Sequence, residues 1–417
     1  MELSREEQAM LAGERGTAVQ IAMRILTTMG RVFGARRLIP IESAHIDGCL
    51  YHGDSGLDFA QKLVDGGAKT VVPTTLNVGA IDLLHPEHFQ GTAVQAQKAT
   101  RLMQLYQQMG CSPIWTCAPY QVEQRPLTGQ QIAWAESNAI VFANSVLGAH
   151  TNRYGDFIDI CAAITGRAPE YGLHLPENRR GQIVFHLHNI PDRLRHADVL
   201  YPVLGYLIGS RAANKIPVIT GLPASSSEDQ LKALGAAAAS SGAVALFHAV
   251  GITPEAPTLE AALHGRPPEA EITVTVADLK AMRGHLSTVA DGPIDVVALG
   301  SPHFSLAEFE QLLPILRQFP PVIEFIVCTH RLVLAALQKR GWLSELKELG
   351  VTVVVDTCVV VTPIVRARGG TLMTNSGKFA HYTPGNIGFS VIFGSLEECV
   401  RSAAQGQVWR DEGLWEN

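Results

Sequence analysis

The chain has 417 residues, with 33 Lys or Arg against 39 Asp or Glu, for a formal net charge of −6. Hydrophobic residues make up 47 % and charged residues 17 %, enough apolar material for a large core. At roughly 100–200 residues per domain this predicts two to three folding units. No basic run or Arg/Lys stripe appears, which excludes the usual footprint of a nucleic-acid binder. No apolar stretch reaches the roughly 18 residues of a membrane span, and the opening MELSREEQ is too polar for a signal peptide. The expectation is a cytoplasmic protein without nucleic-acid or membrane partners.

In chain order, Ser4-x-x-Glu7 is a capping box opening a helix, and a second helix runs to about Met29. Residues 37–47 read as a strand ending in Glu42, Ser43, His45 and Asp47. A helix capped by Asp54 or Ser55 ends at Gly66-Gly67. Residues 69–77 read as a strand ending in Thr74, Thr75 and Asn77. An amphipathic helix over 92–109 leads to a predicted strand at 111–120, with Thr116 and Cys117 near its end. Residues 130–149 read as one helix, interrupted by Glu136, Ser137, Asn138, Asn144 and Ser145. The following stretch, dense in Arg, His, Asn and Gly, reads as an active-site loop holding one short helix.

The second half repeats the pattern. Strands are expected at QIVFHL, IPVITGL and AVALFHAVG, the last ending at His248. A Pro- and Glu-rich linker at 254–270 is the expected subdomain boundary. ITVTV is a predicted strand and 277–287 a helix. IDVVALG (294–300) is a strand running into Ser301-Pro302-His303. Ser305-x-x-Glu308 is another capping box, and VIEFIVCTH ends in Cys328 and His330. The chain closes with TLMTNSGKFAHY and a strand and helix near 387–405. Between these lies VTVVVDTCVVVTP (351–363). Its β-branched run predicts a strand buried on both faces, in the middle of a parallel sheet.

Alternating strands and helices predict an α/β fold with mostly parallel sheets flanked by helices. Ligands bind at the carboxyl ends of such strands, so the polar strand ends are candidate site residues. Cys117 and Cys358 each follow a threonine at a predicted strand end. Two readings stand side by side: buried small hydrophobes, or thiolate ligands of a metal or iron–sulfur site. The seven cysteines include no C-x-x-C pair, and an odd number argues against a disulfide framework. Gly377-Lys378 is not a phosphate loop, because Phe379 follows the lysine. Thr374, Asn375, Ser376 and Lys378 read instead as anion or hydroxyl recognition, or as a solvated loop. His45, His174, His248 and His303 occupy polar strand-end or loop positions. Arg153 with Asn144 and Ser145 is set either to clamp a carboxylate or to form a surface ion pair.

Long segments, in order and over essentially the whole chain, resemble the catalytic part of the aconitase X family. They are SREEQAMLAGERGTAVQIAM, PTTLNV, TCAPY, ESNAIVFANSVLGAHTNRYGDFIDICAAITGRAPEYGLHL, LFHAVG, GSPHFSLAEF, VDTCVVV and TNSGKFAHY. The resemblance implies an aconitase-like catalytic part built from two or three α/β subdomains. It also implies a dehydratase with an iron–sulfur cluster, acting on cis-3-hydroxy-L-proline or on mevalonate 5-phosphate. The family works with a small swivel domain, fused in some members and a separate subunit in others, and none is expected in this chain. A separate small subunit is therefore the expected partner. By motif, Cys117 and Cys358 would hold the cluster. Ser301 stands where many relatives carry a third cysteine. This leaves the cluster open between [2Fe–2S] and [3Fe–4S], with Ser301, Cys328 or a residue of the partner chain as the further ligand. The elimination assigns proton transfer to Lys378, Ser376 or a serine of the partner chain. Substrate contacts fall to His45, Thr75, Asn77, Asn144, Ser145 and Arg153. The competing class is a non-catalytic subunit whose loops only dock a partner; a zinc hydrolase lacks the His/Glu ligand spacing it needs.

Overall fold

The computed structural model describes residues 1–122, 125–367 and 369–416. The chain divides into two compact units. Unit 1 is Met1–Leu83 with Gly91–Arg180; unit 2 is Leu84–Gln90 with Gly181–Asn417.

Unit 1 is organised on a three-stranded, all-parallel sheet in the order Thr74–Leu76, Ala44–Ile46, Ala133–Trp134. A second, two-stranded antiparallel sheet pairs Leu38–Pro40 with Arg167–Pro169. The predicted strand at 37–47 is thus two short strands in different sheets, broken at residues 41–43. The helix Thr17–Val32 buries Ala18, Ala22, Met23, Leu26, Thr27 and Gly30. These fall on one face at helical spacing, which packs against the apolar helix Ile158–Thr165.

Two elements differ from the sequence reading. Residues 130–149 are not one helix. Ala133–Trp134 is a strand, and the helix spans only Ser137–Ser145. Glu136 separates them with φ +70°, which no α-helix admits, and its carboxylate caps the new helix by accepting from the Ala139 amide at 2.9 Å. Residues 111–120 form no strand beyond one bridge from Ser112 to Thr75. Trp115 turns back with φ +45°, and Pro119–Gln121 is a 3₁₀ turn.

Unit 2 holds two parallel sheets. The four-stranded one runs His248–Ala249, Pro217–Thr220, Ile183–His186, Ala270–Thr273. Residues 254–270 lie between its strands His248–Ala249 and Ala270–Thr273 and carry the short helix Leu259–Ala262. The five-stranded one runs Val351–Val354, Glu324–Thr329, Val296–Phe304, Thr371–Thr374, Ser390–Phe393. Its core includes Val297, Leu299, Phe325, Val327 and Met373, none of them exposed. Strand Val351–Val354 is at the sheet edge, not in the middle as its composition suggested. The helix Trp342–Glu348 packs over it, and Val351, Val353 and Val354 are buried. A covered edge needs the same β-branched run as a central strand.

Numbered along the chain, the strands of these three parallel sheets lie in the orders 2-1-3, 3-2-1-4 and 3-2-1-4-5. Each order reverses beside its first strand. A reversal opens a crevice at the strands' carboxyl ends, which is where open α/β sheets bind ligands.

Among the described residues no helix is long and apolar enough to cross a membrane.

Candidate functional site

The crevice of the five-stranded sheet lies between strands Val296–Phe304 and Thr371–Thr374. Strand Val296–Phe304 pairs regularly with Glu324–Thr329 up to Leu299, loses register, and regains it at Phe304. The irregular segment carries Ser301 and His303. Gly300 makes it possible: φ is +89°, and a Cβ there would meet the Cys328 carbonyl oxygen at 2.0 Å. Ser301 is 3 % exposed. Across the crevice, the Ser376 hydroxyl donates to the Ser301 carbonyl and accepts from the Phe379 amide at 3.0 Å. Ser376 thereby caps the helix Gly377–Asn386 and ties it to the Ser301 turn. Lys378 is half-buried in the first turn of that helix. Ser301, Asn375, Ser376, Gly300, Lys232 and Glu308 line one hollow at this edge.

Cys358 lies on the same edge, just past strand Val351–Val354, and is 5 % exposed. Its loop is held from two sides. Asp356, fully buried with φ +64°, accepts both fork nitrogens of Arg331, at 2.7 and 2.6 Å. His303 Nε2 donates to the Thr357 carbonyl at 3.0 Å. Because a carbonyl only accepts, Nε2 carries the proton. Burial pushes His303 down to about 3, helped by the nearby cations Lys232 and Lys378, so the ring is neutral. His330, at the end of strand Glu324–Thr329, is likewise pushed down to about 4 by burial, and its Nδ1 has no hydrogen-bond partner. The sequence reading missed Arg331, although it directly follows the strand-end residues Cys328, Thr329 and His330. It also missed Lys232, whose buried ammonium pairs with Asp229 and Glu308.

In unit 1, the crevice of the three-stranded sheet lies between Ala44–Ile46 and Ala133–Trp134. His45 and Thr75 sit side by side in register, with His45 Nδ1 2.8 Å from Thr75 Oγ1. His45 is 0 % exposed, and burial holds it down to about 3. Its Nε2 has no partner. Asn77 donates from Nδ2 to Asp47, which leaves its Oδ1 without a partner. Cys117 is 4 % exposed, and its carbonyl accepts from Asn138 Nδ2 at 2.6 Å. The Asn138 Oδ1 in turn accepts from Tyr120.

The other expected contacts lie deeper in unit 1 or at its surface. Asn144 is fully buried; its amide donates to the Thr151 carbonyl and accepts from the Thr151 amide and Arg179. Ser145 is buried at the end of the same helix. Arg153 is exposed. His174 is neutral and buried, pushed down to about 3 by desolvation, and hydrogen bonds to Gln131 and Tyr154. Cys49, Cys111, Cys161 and Cys399 are buried, and burial pushes all four thiols up.

Parallel sheets whose strand order reverses beside the first strand provide ligand crevices at their carboxyl ends, and comparison with known proteins gives the class. The aconitase X first domain matches residues 1–177, the second 181–284 and the third 294–405. The chain is 44 % identical over 406 residues to the cis-3-hydroxy-L-proline dehydratase of Pseudomonas aeruginosa, covering 96 % of this chain and 70 % of that one. It is 42 % identical to the enzyme of the same name from Hypocrea jecorina, covering 97 % and 69 %. It is 39 % identical to the phosphomevalonate dehydratase large subunit of Methanothermobacter thermautotrophicus, covering 96 % and 98 %. A crystal structure of Thermococcus kodakaraensis aconitase X in its holo-form superposes with a TM-score of 0.87 at 37 % identity, covering 97 % of this chain and all of that one. The protein is a carbon–oxygen lyase, a dehydratase. It belongs to the aconitase X family.

Proposed function

We propose that this chain is the large subunit of an enzyme that eliminates water from cis-3-hydroxy-L-proline to give Δ1-pyrroline-2-carboxylate. The observation that carries this reading is the ranking of its relatives. Identity is 44 % and 42 % to two cis-3-hydroxy-L-proline dehydratases, against 39 % and 38 % for two phosphomevalonate dehydratase large subunits. The chain spans about 70 % of the former and nearly all of the latter. The large-subunit names of the latter support a small swivel-domain chain as partner. The identity to those large subunits makes mevalonate 5-phosphate the second reading.

The elimination removes the proton α to the carboxylate and the β-hydroxyl as water. The resulting enamine tautomerises to the cyclic imine. The donor set fits an iron–sulfur cluster. Cys358 and Cys117 are nine-tenths buried, lie outside helices and strands, and have their loops clamped by hydrogen bonds. Thiolate is the natural ligand of such clusters. Cys117, Cys358 and Ser301 are the proposed ligands of a [2Fe–2S] or [3Fe–4S] cluster. When bound, the cluster supplies Lewis acidity for the departing hydroxyl. Lys378 and Ser376 are assigned proton transfer. The existing bonds of Ser376 hold the first turn of its helix, and with it Lys378, at the crevice. His45, Thr75, Asn77, Asn144, Ser145 and Arg153 are assigned to substrate binding.

Purified without oxygen and mixed with its small subunit, the protein is expected to be brown and to dehydrate cis-3-hydroxy-L-proline in preference to mevalonate 5-phosphate. Cys117→Ala and Cys358→Ala are each expected to lose iron, visible absorbance and activity together. A colourless, iron-free preparation that remained active would refute the cluster. Turnover of mevalonate 5-phosphate alone would establish the second reading.

A further inference from the structure

Two hollows adjoin at the carboxyl edge of the five-stranded sheet. The inner one, of about 40 Å³, is walled by Gly300, Ser301, Lys232, Ser376 and Gly377. Lys232 and Ser301 are both buried. The outer one, of about 60 Å³, is walled by Asp198, Ser227, Asp229, Gln311 and Ser395. Asp198, Ser227 and Gln311 are exposed, so the outer hollow opens to solvent. Each is wide enough for water and lined by the polar groups that water needs. Four residues belong to both walls: Ala233, Phe304, Asn375 and Glu308. Of these only Glu308 gains or loses a proton.

Glu308 is held by bonds made through one oxygen. Oε2 accepts from the Ser305 amide at 2.7 Å, closing the capping box of the helix Leu306–Gln318, and from the Lys232 ammonium. Lys232 also donates to Asp229 at 2.7 Å and to the His303 carbonyl at 3.3 Å. All three donors of the ammonium are thus engaged, which is the condition for burying its charge. Oε1 of Glu308 takes part in none of these bonds. The side chain keeps 19 % of its surface exposed, so Oε1 is the oxygen that water meets. Burial pushes the Glu308 carboxyl up to about 7, against the pull of Lys232 and reinforced by Asp229. Asp198, on the outer wall, is the other charged group lining the hollows; the segments Asn375–Gly377 and Gly394–Leu396 add none. A carboxyl poised near neutrality takes up and gives back a proton with equal ease.

We propose that Glu308, oriented by Lys232, is a proton relay that connects the inner hollow at Ser301 and Ser376 with the solvent-facing outer one. This rests on the dehydratase reading above, which assigns proton transfer to Ser376 and Lys378, and adds the route by which those groups exchange protons with bulk water. A hydronium ion in the inner hollow gives its proton to a lone pair of Oε1; an O–H bond forms and water is left. The neutral acid then gives that proton to a water molecule in the outer hollow, which restores the carboxylate. Lys232 stays charged throughout: burial pushes its ammonium down, but Glu308 and Asp229 outweigh burial and hold it above its ordinary value. Asn375, the other polar group on the shared wall, carries an amide that does not titrate.

The test is Glu308→Gln, in the full chain and in the pair assembled with its small subunit. Glutamine preserves the capping box and Lys232 keeps Asp229, so the fold is expected to survive. Difference infrared spectroscopy of the full chain from about pH 5 to about pH 9 should show a carboxyl band that ionises near 7 in the protein and is missing from the variant. Subtracting the two removes Asp159, which both contain. In the assembled pair, kcat should fall at least about tenfold, lose its decline below neutral pH, and recover in part when formate is supplied as a mobile carboxylate, with KM and iron content unchanged. Glu308→Asp keeps the charge beside Lys232 and should retain both the band and more of kcat than glutamine does. An infrared difference without that band would overturn the relay, as would an undiminished kcat, a loss that formate does not relieve, or equal losses in the two variants. A pair that dehydrates neither substrate while the band behaves as stated sustains Glu308 as a proton-holding group and sinks the reaction instead.

Discussion

At the crevice of the five-stranded sheet the polar groups are engaged with the protein itself. Ser376 both donates and accepts, His303 donates to the Thr357 carbonyl, and Asp356 takes both arms of Arg331. At the crevice of the three-stranded sheet, His45 and Asn77 are equally buried but each keeps an atom without a partner. The difference is one of purpose. Internal bonds fix the shape of a loop, and in unit 2 they fix the turns that carry Ser301 and Cys358. Open bonds at a crevice are the ones a ligand would complete. At that edge His330 Nδ1 is an exception, and marks the point most like the other crevice.

If the unit 2 edge is a rigid frame, disturbing it should cost stability heavily. The largest effect is expected for Gly300→Ala. The new methyl group would meet the Cys328 carbonyl oxygen at 2.0 Å on a backbone with φ +89°, for a loss of about 4 kcal/mol. Chemical denaturation measures it; a loss under about 1 kcal/mol would mean the edge yields. Arg331→Met comes next. It leaves the fully buried Asp356 carboxylate without its fork, at a cost of about 3 kcal/mol. Adding Asp356→Asn should recover part of that loss, because asparagine removes the charge and tolerates the left-handed conformation. The double variant melting no higher than Arg331→Met alone would contradict the charge argument.

The fold class was legible because helices and parallel strands alternate, and because capping boxes at Ser4 and Ser305 announce helix starts that the structure keeps. Strand ends at His45, Thr75, Ser301 and Cys358 were legible as places where apolar runs give way to polar groups. What a run of valines does not encode is position within a sheet, so Val351–Val354 read as central when it is a covered edge. Nor does apolar periodicity reveal a single residue such as Glu136, whose positive φ splits a strand from a helix. Arg331 and Asp356 are 25 residues apart in sequence; no local pattern announces an ion pair closed by tertiary packing. The same holds for Asn144, whose polarity in an apolar helix drew notice but whose amide closes on Thr151 and Arg179.

Acid separates the two crevices less than mutation does, because each contains a buried neutral histidine. His45 and His303 are both pushed down to about 3, whereas an unfolded histidine takes its proton near 6.5. The folded state therefore refuses a proton that the unfolded state accepts. The stability each ring contributes is present above about pH 6.5 and is lost as the pH falls towards 3, at about 1.4 kcal/mol per pH unit per ring. Asp159, its buried carboxyl pushed up to about 7, acts in the opposite sense. The useful quantity is thus the difference in slope between the protein and a variant lacking one ring. Denaturation between pH 7 and pH 5 should show a shallower loss for either His45→Leu or His303→Leu. Equal slopes in the protein and both variants would mean that these rings titrate normally.

At fixed neutral pH the same two substitutions should differ in sign. His303→Leu removes the donor to the Thr357 carbonyl and should destabilise by about 1–2 kcal/mol. His45→Leu removes a nitrogen that has no partner and a hydrogen bond to the half-buried Thr75 hydroxyl, which water can replace. It should be neutral, or stabilising by up to about 1 kcal/mol, while weakening substrate binding. Sites that face a ligand characteristically gain stability when their unfulfilled groups are removed. If His45→Leu instead unfolds the protein as readily as His303→Leu, then His45 is part of the frame, and the contrast between the two crevices is lost.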